Sequence, residues 1–287
     1  MQVPDGLTVE PAERAEIEHV LAGWDPAVVV GRIARLSGLT NRIFEVATQV
    51  VTVAVRLPGL GTGSYIDRRS ELHNAHIMSL LGIGATILHA ADGALVTAFL
   101  PGRVLSPEIL RSEPDVLDRV ARLLRRVHDS ARPFASVFDA VTVMAGHRAG
   151  LDDLPAGTDD LIERFGHLAG PERLVPCHHD PWPENFIDTE AGLHLLDWEY
   201  SAMGDPAWDL ADVVVEAALD APTTERFLAS YSGGEVPPAL RTRVAELGPV
   251  TDLLWGLWAL VQDRDGNEAM DYDAYGRDRI ERAGRAR

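Results

Sequence analysis

Apolar residues return every three or four positions over residues 8–23, the period of an amphipathic helix. From residue 28 the pattern becomes strand-like. Val28–Leu36, Arg42–Ala47 and Val50–Leu57 are rich in β-branched residues; the turn-like Ser37-Gly-Leu-Thr-Asn41 divides the first two, and the third ends at Pro58-Gly59. A helical pattern returns over Ile66–Leu81, with Asp67 placed to cap or charge its first turn. Thr86–Ala90 and Ala94–Leu100 then read as a hairpin about Asp92-Gly93. Beyond Pro101-Gly102 the pattern is mostly helical, over 105–127, 152–168, 207–219, 223–231, 237–246 and 250–263. A short strand pair, 186–187 and 193–197, interrupts it around Glu190-Ala-Gly192. This order predicts an α+β chain. Residues 1–100 form a small N-terminal lobe of antiparallel sheet with one helix, and residues 101–287 form a larger, mainly helical lobe. A hinge falls at about 97–103, and the cleft between the lobes is the expected ligand site.

Composition narrows the guests. A formal net charge of −18 over 287 residues disfavours nucleic acid and anionic lipid and favours a neutral or cationic small molecule. All 26 basic residues other than histidine are arginines, so any phosphate-gripping cation has to be an arginine. The single cysteine, Cys177, excludes an internal disulfide and fits a reducing compartment. The acidic start lacks a signal-peptide pattern, and no apolar run approaches the roughly 20 residues that span a bilayer. The expectation is a soluble cytoplasmic protein without membrane insertion; the oligomeric state is left open.

The chemistry concentrates in Cys177-His-His-Asp-Pro-Trp-Pro-Glu-Asn-Phe186 and Leu195-Leu-Asp-Trp-Glu-Tyr200. Two prolines keep 180–185 out of a helix, so the segment is a loop. Its polar skeleton, His-x-Asp-x4-Asn followed by an aspartate at the end of an apolar strand, is what phosphoryl transfer requires. Asp180 is the candidate base for an attacking hydroxyl, while Asn185 and Asp197 are candidate Mg2+ ligands. In such a reaction positioning counts for more than basicity. A zinc-hydrolase reading of His178, His179 and Asp180 stays open here, although neighbouring histidines point opposite ways in extended chain.

These motifs resemble the aminoglycoside-phosphotransferase and choline-kinase superfamily, relatives of the protein kinases, and within it the choline/ethanolamine kinase family. Five blocks carry the likeness: Gly38-Leu-Thr-Asn41; Val55-Arg-Leu-Pro-Gly59; His178–Asn185; Asp197-Trp-Glu-Tyr200 with Gly204-Asp-Pro-Ala-Trp-Asp-Leu210; and Leu253-Leu-Trp-Gly-Leu-Trp-Ala-Leu-Val261. The resemblance implies a two-lobed protein-kinase-like fold and a kinase using ATP and Mg2+. It gives Asp180, Asn185 and Asp197 the catalytic and metal roles read above, with Glu199 supporting the metal. Arg56 falls where kinases grip the nucleotide phosphates, oriented by Glu71. Ser37, Thr40 and Asn41 lie on the phosphate side, and the Thr97–Gly102 backbone, with Phe99 at its centre, meets adenine. Asp209 is implied to brace the catalytic loop, and His128 reads as a satisfied histidine near a helix end.

An acceptor alcohol also needs a pocket. Trp255 and Trp258 share a helix face at i, i+3 and, with Tyr272, resemble the aromatic wall of a choline site; Glu216 resembles the acidic residue near the ammonium. Gly256 and Ala259 leave room beside the rings. By periodicity alone the same run is a buried core helix. Ala269 and Ala217-Ala-Leu-Asp-Ala-Pro222 stand where the family pattern has further aromatics, which makes a thinner cage. The expected substrate is a small cationic alcohol, choline first and ethanolamine next. An aminoglycoside or other antibiotic phosphotransferase and a nucleotide-binding pseudokinase are the alternatives.

Overall fold

The structure, a computed structural model, describes residues 9–36, 38, 41–59, 66–168, 170 and 173–285. The chain divides into two compact units, residues 1–104 with 187–199, and residues 105–186 with 200–287.

In the first unit, helix α1 (Pro11–Trp24) packs on an antiparallel five-stranded sheet of β1 (Val30–Leu36), β2 (Arg42–Thr48), β3 (Thr52–Leu57), β4 (Ile87–Ala91) and β5 (Ala94–Ala98), ordered β1-β2-β3-β5-β4. Ile17 and Leu21 of α1 share a core with Phe44, Val46, Val53, Val55 and Leu57. The two-residue period of β3 buries Val53, Val55 and Leu57 and therefore turns Arg56 to the opposite face. Asp92 and Gly93 both adopt positive φ, 50° and 80°, as the tight turn between β4 and β5 demands. Helix α2 (Arg68–Leu80) is capped by the Asp67 carboxylate, which accepts the Arg69 and Ser70 N–H groups. A three-stranded sheet, β6 (Gly102–Val104), β8 (Phe186–Thr189) and β9 (Gly192–Leu195), extends the predicted strand pair by one strand.

The second unit is mainly helical: α3 (Pro107–Ser112), α4 (Pro114–His128), α5 (Ala140–Ala149), α6 (Thr158–Gly166), α7 (Pro206–Glu216), α8 (Ala221–Ser232), α9 (Pro238–Arg264) and α10 (Tyr272–Arg285), with β7 (Val175–Cys177) paired to β10 (Ala202–Gly204). The single helix expected over 105–127 is two. Glu113 precedes Pro114, whose ring drives it out of the α region to φ −116°, ψ 85°. The segments expected at 237–246 and 250–263 merge into α9, a 27-residue helix with Pro249 inside it. The break that a proline favours is overridden because Val250–Gln262 is buried without interruption, and α9 packs along α7 and α10. At that length α9 is apolar enough to cross a membrane, yet most of its apolar stretch is buried inside the protein. Helix α10 went unread in the sequence because charged residues outweigh its few apolar ones.

Candidate active site

In the first unit, Arg56 leaves the polar face of β3 and pairs with Glu71 of α2. Glu71 also accepts from Arg68 at 2.8 Å, and Arg68 reaches Glu199 at 3.1 Å and Asn41 at 3.0 Å. The Asn41 amide in turn donates to Glu199 at 2.8 Å. Asn41, expected to face a nucleotide phosphate, takes part in this buried network, and Arg68 was missed. Only its position three residues before Glu71 on the helix could have marked it. Ser37 and Thr40 lie outside the described residues. Phe99 follows β5, where its N–H donates to the Thr52 carbonyl at 3.3 Å.

Asp197 follows β9 in the left-handed region, φ 63°, with Oδ1 3.6 Å from the Arg56 guanidinium. Burial, and then the neighbouring Glu199 charge, push its carboxyl up to about 8 against the pull of Arg56. Glu71 moves the other way: burial would raise it, but the Arg56 pair outweighs burial and holds it below the usual carboxylate range. Glu71, Asp197 and Glu199 offer oxygens within 4.8 Å of one another, and Asp197 Oδ1 is buried without a hydrogen bond. Crowded carboxylates with an orphaned oxygen and no nitrogen or sulfur donor fit Mg2+.

In the second unit, β7 delivers the loop of Asp180. Asp209, on the first turn of α7, accepts the backbone N–H groups of His178 and His179 at 2.8 Å each, and His128 Nε2 at 3.0 Å. Burial would push the Asp209 carboxyl up, but the His128 hydrogen bond and attraction outweigh it and hold the group at about 2. The other His128 nitrogen meets the Tyr231 hydroxyl at 2.8 Å, so this buried histidine is satisfied at both ends. His179 takes φ 67°, stacks on Phe138 at 4.1 Å, and accepts the Trp208 indole N–H on its carbonyl at 3.2 Å. Pro183–Asn185 forms a single 3-10 turn, and the Asn185 amide donates to the Asp180 carbonyl at 3.0 Å. That commits the amide nitrogen and leaves Oδ1 as the atom a cation would take. Among the described residues, the groups close enough to hold a metal are Glu71–Asp197–Glu199 and His128–Cys177–Asp209; neither includes His178, His179 or Asp180, so the zinc-hydrolase reading has no geometric support.

The aromatic residues come together. Tyr200, Trp255, Trp258 and Tyr272 form one file with centroid separations of 5.2, 5.9 and 5.7 Å and interplanar angles of 80°, 88° and 80°. Trp255 and Trp258 are 6% and 7% exposed and Tyr272 is buried, so the file is also part of the core. Tyr200 was not singled out, because an aromatic beside a strand end carries no distinctive spacing. Gly256 does not make room for a ligand: a Cβ there would meet Ile280 at 2.8 Å and the Gly276 carbonyl at 3.0 Å, so it serves the close crossing of α9 and α10. Glu216 pairs with Arg279, which also reaches Asp252 at 3.2 Å. The carboxylate on the file is instead Asp212, whose Oδ1 accepts the Trp255 indole N–H at 2.9 Å.

Comparison with known proteins follows the same lines. The phosphotransferase enzyme family matches residues 32–247. The crystal structure of a choline/ethanolamine kinase family protein from Mesorhizobium loti is 33% identical, with a TM-score of 0.81 over 94% of this chain and 93% of that one. Choline kinase LicA from Streptococcus pneumoniae is 26% identical, with a TM-score of 0.81 over 96% and 98% of the two chains. Protein LicA of Haemophilus influenzae is 26% identical over 83% of this chain and 75% of its own.

Proposed function

The chain belongs to the phosphotransferase enzyme family and, within it, to the choline/ethanolamine kinases; from that premise we propose that it transfers the γ-phosphoryl group of ATP to the hydroxyl of a small amino alcohol, choline first and ethanolamine next. The observation that carries the reading is on α7. Asp209 and Asp212 stand three residues apart on one helix face; the first clamps the backbone that presents Asp180, and the second holds Trp255 of the aromatic file. One rigid element thus indexes both the base and a wall suited to an ammonium group, which cannot be held by hydrogen bonds when it is quaternary.

In this reading Asp180 takes the proton of the acceptor hydroxyl as its oxygen bonds to the γ-phosphorus and the bond to the β–γ bridging oxygen breaks, releasing ADP. Arg56, locked by Glu71, holds phosphate oxygens with the planar fork that lysine lacks. Asn185, Asp197 and Glu199 would hold Mg2+, which neutralises charge on the phosphates when bound. Phe99 and its neighbours meet the adenine through backbone. A cytoplasmic setting suits the substrates and the lone buried thiol Cys177.

The test is ADP release from MgATP with choline, ethanolamine, thiamine and an aminoglycoside panel. Turnover is expected with choline or ethanolamine, and Asp180→Ala should abolish it with ATP binding retained. Preference for an aminoglycoside, or ATP binding without turnover of any acceptor, would replace this reading by the antibiotic phosphotransferase or the pseudokinase.

A further inference from the structure

Three carboxylates and two guanidiniums meet where three helices pack together. Asp212 and Glu216 come from α7, Asp252 from α9, and Arg279 and Arg282 from α10. Neither arginine makes a salt bridge to Asp212. Arg279 pairs with Glu216 and lies 3.2 Å from Asp252, and Arg282 reaches Asp252 at 2.6 Å. Glu216, the acidic residue expected beside the ammonium, is thus already matched by a buried cation. Asp212 is not. It is fully buried, one oxygen is spent on Trp255, and Oδ2 has no hydrogen-bond partner. The cluster is short of positive charge, and Asp212, tied to the ring edge of Trp255, is the carboxylate in it without an arginine partner.

We propose that Asp212 is a positioning residue for the acceptor, which supplies through Trp255 the negative charge that makes the aromatic file select a single cationic head over a neutral one of the same shape. The inference rests on the proposed amino-alcohol kinase. A carboxylate accepting from the indole N–H enriches the ring that a cation would face, and a buried charge at the ring edge acts on that cation with little screening. One uncompensated carboxylate matches one ammonium, which fits a monocationic acceptor and not a polycationic one. Burial and the nearby Glu216 charge push the Asp212 carboxyl well above its usual range, with Arg279 and the Trp255 hydrogen bond opposing; a bound ammonium favours the charged form and draws the proton off, and Asn keeps the shape while removing that charge.

The experiment compares binding of choline, ethanolamine and uncharged 3,3-dimethylbutan-1-ol to the full-length protein and to Asp212→Asn, by tryptophan fluorescence and calorimetry, alongside kcat and the ATP KM. The two cations should weaken about tenfold or more in the variant, from a charge acting across one ring, while the neutral analogue, kcat and the ATP KM stay unchanged. Equal weakening of cations and neutral analogue, or no weakening of either, overturns the proposal and leaves the kinase assignment standing. Wild-type protein that binds neither cation overturns both. If Asp212→Asn does not fold, Trp255→Phe takes its place, since it keeps a ring and removes the N–H that joins it to the carboxylate. A fall in cation-over-neutral preference supports the proposal, and an unchanged preference refutes it.

Discussion

Acidification should destabilise the protein through one identifiable residue of the Asp180 loop, His179. Its ring is fully buried and stacked on Phe138 with planes 22° apart. Burial pushes the imidazole down to about 4, against about 6.5 in an unfolded chain. Between those values the unfolded chain binds a proton that the folded protein refuses, so stability is full above about pH 6.5 and is lost as pH falls towards about 4. The displacement corresponds to ~3 kcal/mol when complete and ~2 kcal/mol at pH 5. At about 2–4 °C per kcal/mol for a chain of this order of size, Tm should drop ~4–8 °C from this residue between pH 7.5 and pH 5. The control is His179→Asn, because Asn tolerates the φ of 67° found here and does not titrate. The variant loses packing at every pH, so the readout is the slope of Tm against pH by calorimetry. His147, also pushed down to about 4 by burial and by Arg264, contributes equally to both proteins and cancels. The variant's slope should be shallower by the stated amount. Parallel profiles would refute the reasoning, since they would mean that the buried ring accepts its proton without cost.

Three further outcomes follow from local geometry. A Cβ at Gly204 would overlap the His179 imidazole, which Phe138 blocks on one face and whose backbone Asp209 and Trp208 clamp. Gly204→Ala should therefore displace the Asp180 loop, lowering kcat by roughly tenfold or more with little change in the ATP KM; steady-state kinetics with circular dichroism as the folding control would check it. Arg56→Met leaves the buried Glu71 carboxylate without its main partner and should cost about 3 kcal/mol in thermal unfolding. Arg56→Lys should recover part of the stability but little of the nucleotide affinity, because an ammonium lacks the planar fork.

The first unit was largely legible because local chemistry and tertiary structure agree there. Alternation on β3 put Arg56 on the polar face, Asp67 capped α2, and Asp92-Gly93 made the turn its φ values require. The second unit was read less well. Its helices are decided by burial against one another, so Pro114 split one expected helix while Pro249 failed to split another.

The sequence by itself determined which residues are candidates for the chemistry: the Asp180–Asn185 loop, Asp197, the Arg56–Glu71 pair and the tryptophans, each marked by residue type at a spacing that phosphoryl transfer or cation binding needs. The tertiary structure alone decided which charges remain unmatched. Glu216 and Asp212 are both acidic residues on one helix, and nothing in their spacing tells them apart. Arg279 comes from 63 residues beyond Glu216 and takes that carboxylate, while Trp255 comes from 43 residues beyond Asp212 and takes one oxygen of the other. Partner choice over such separations depends on how α7, α9 and α10 pack, and that information is not local to any segment of the chain.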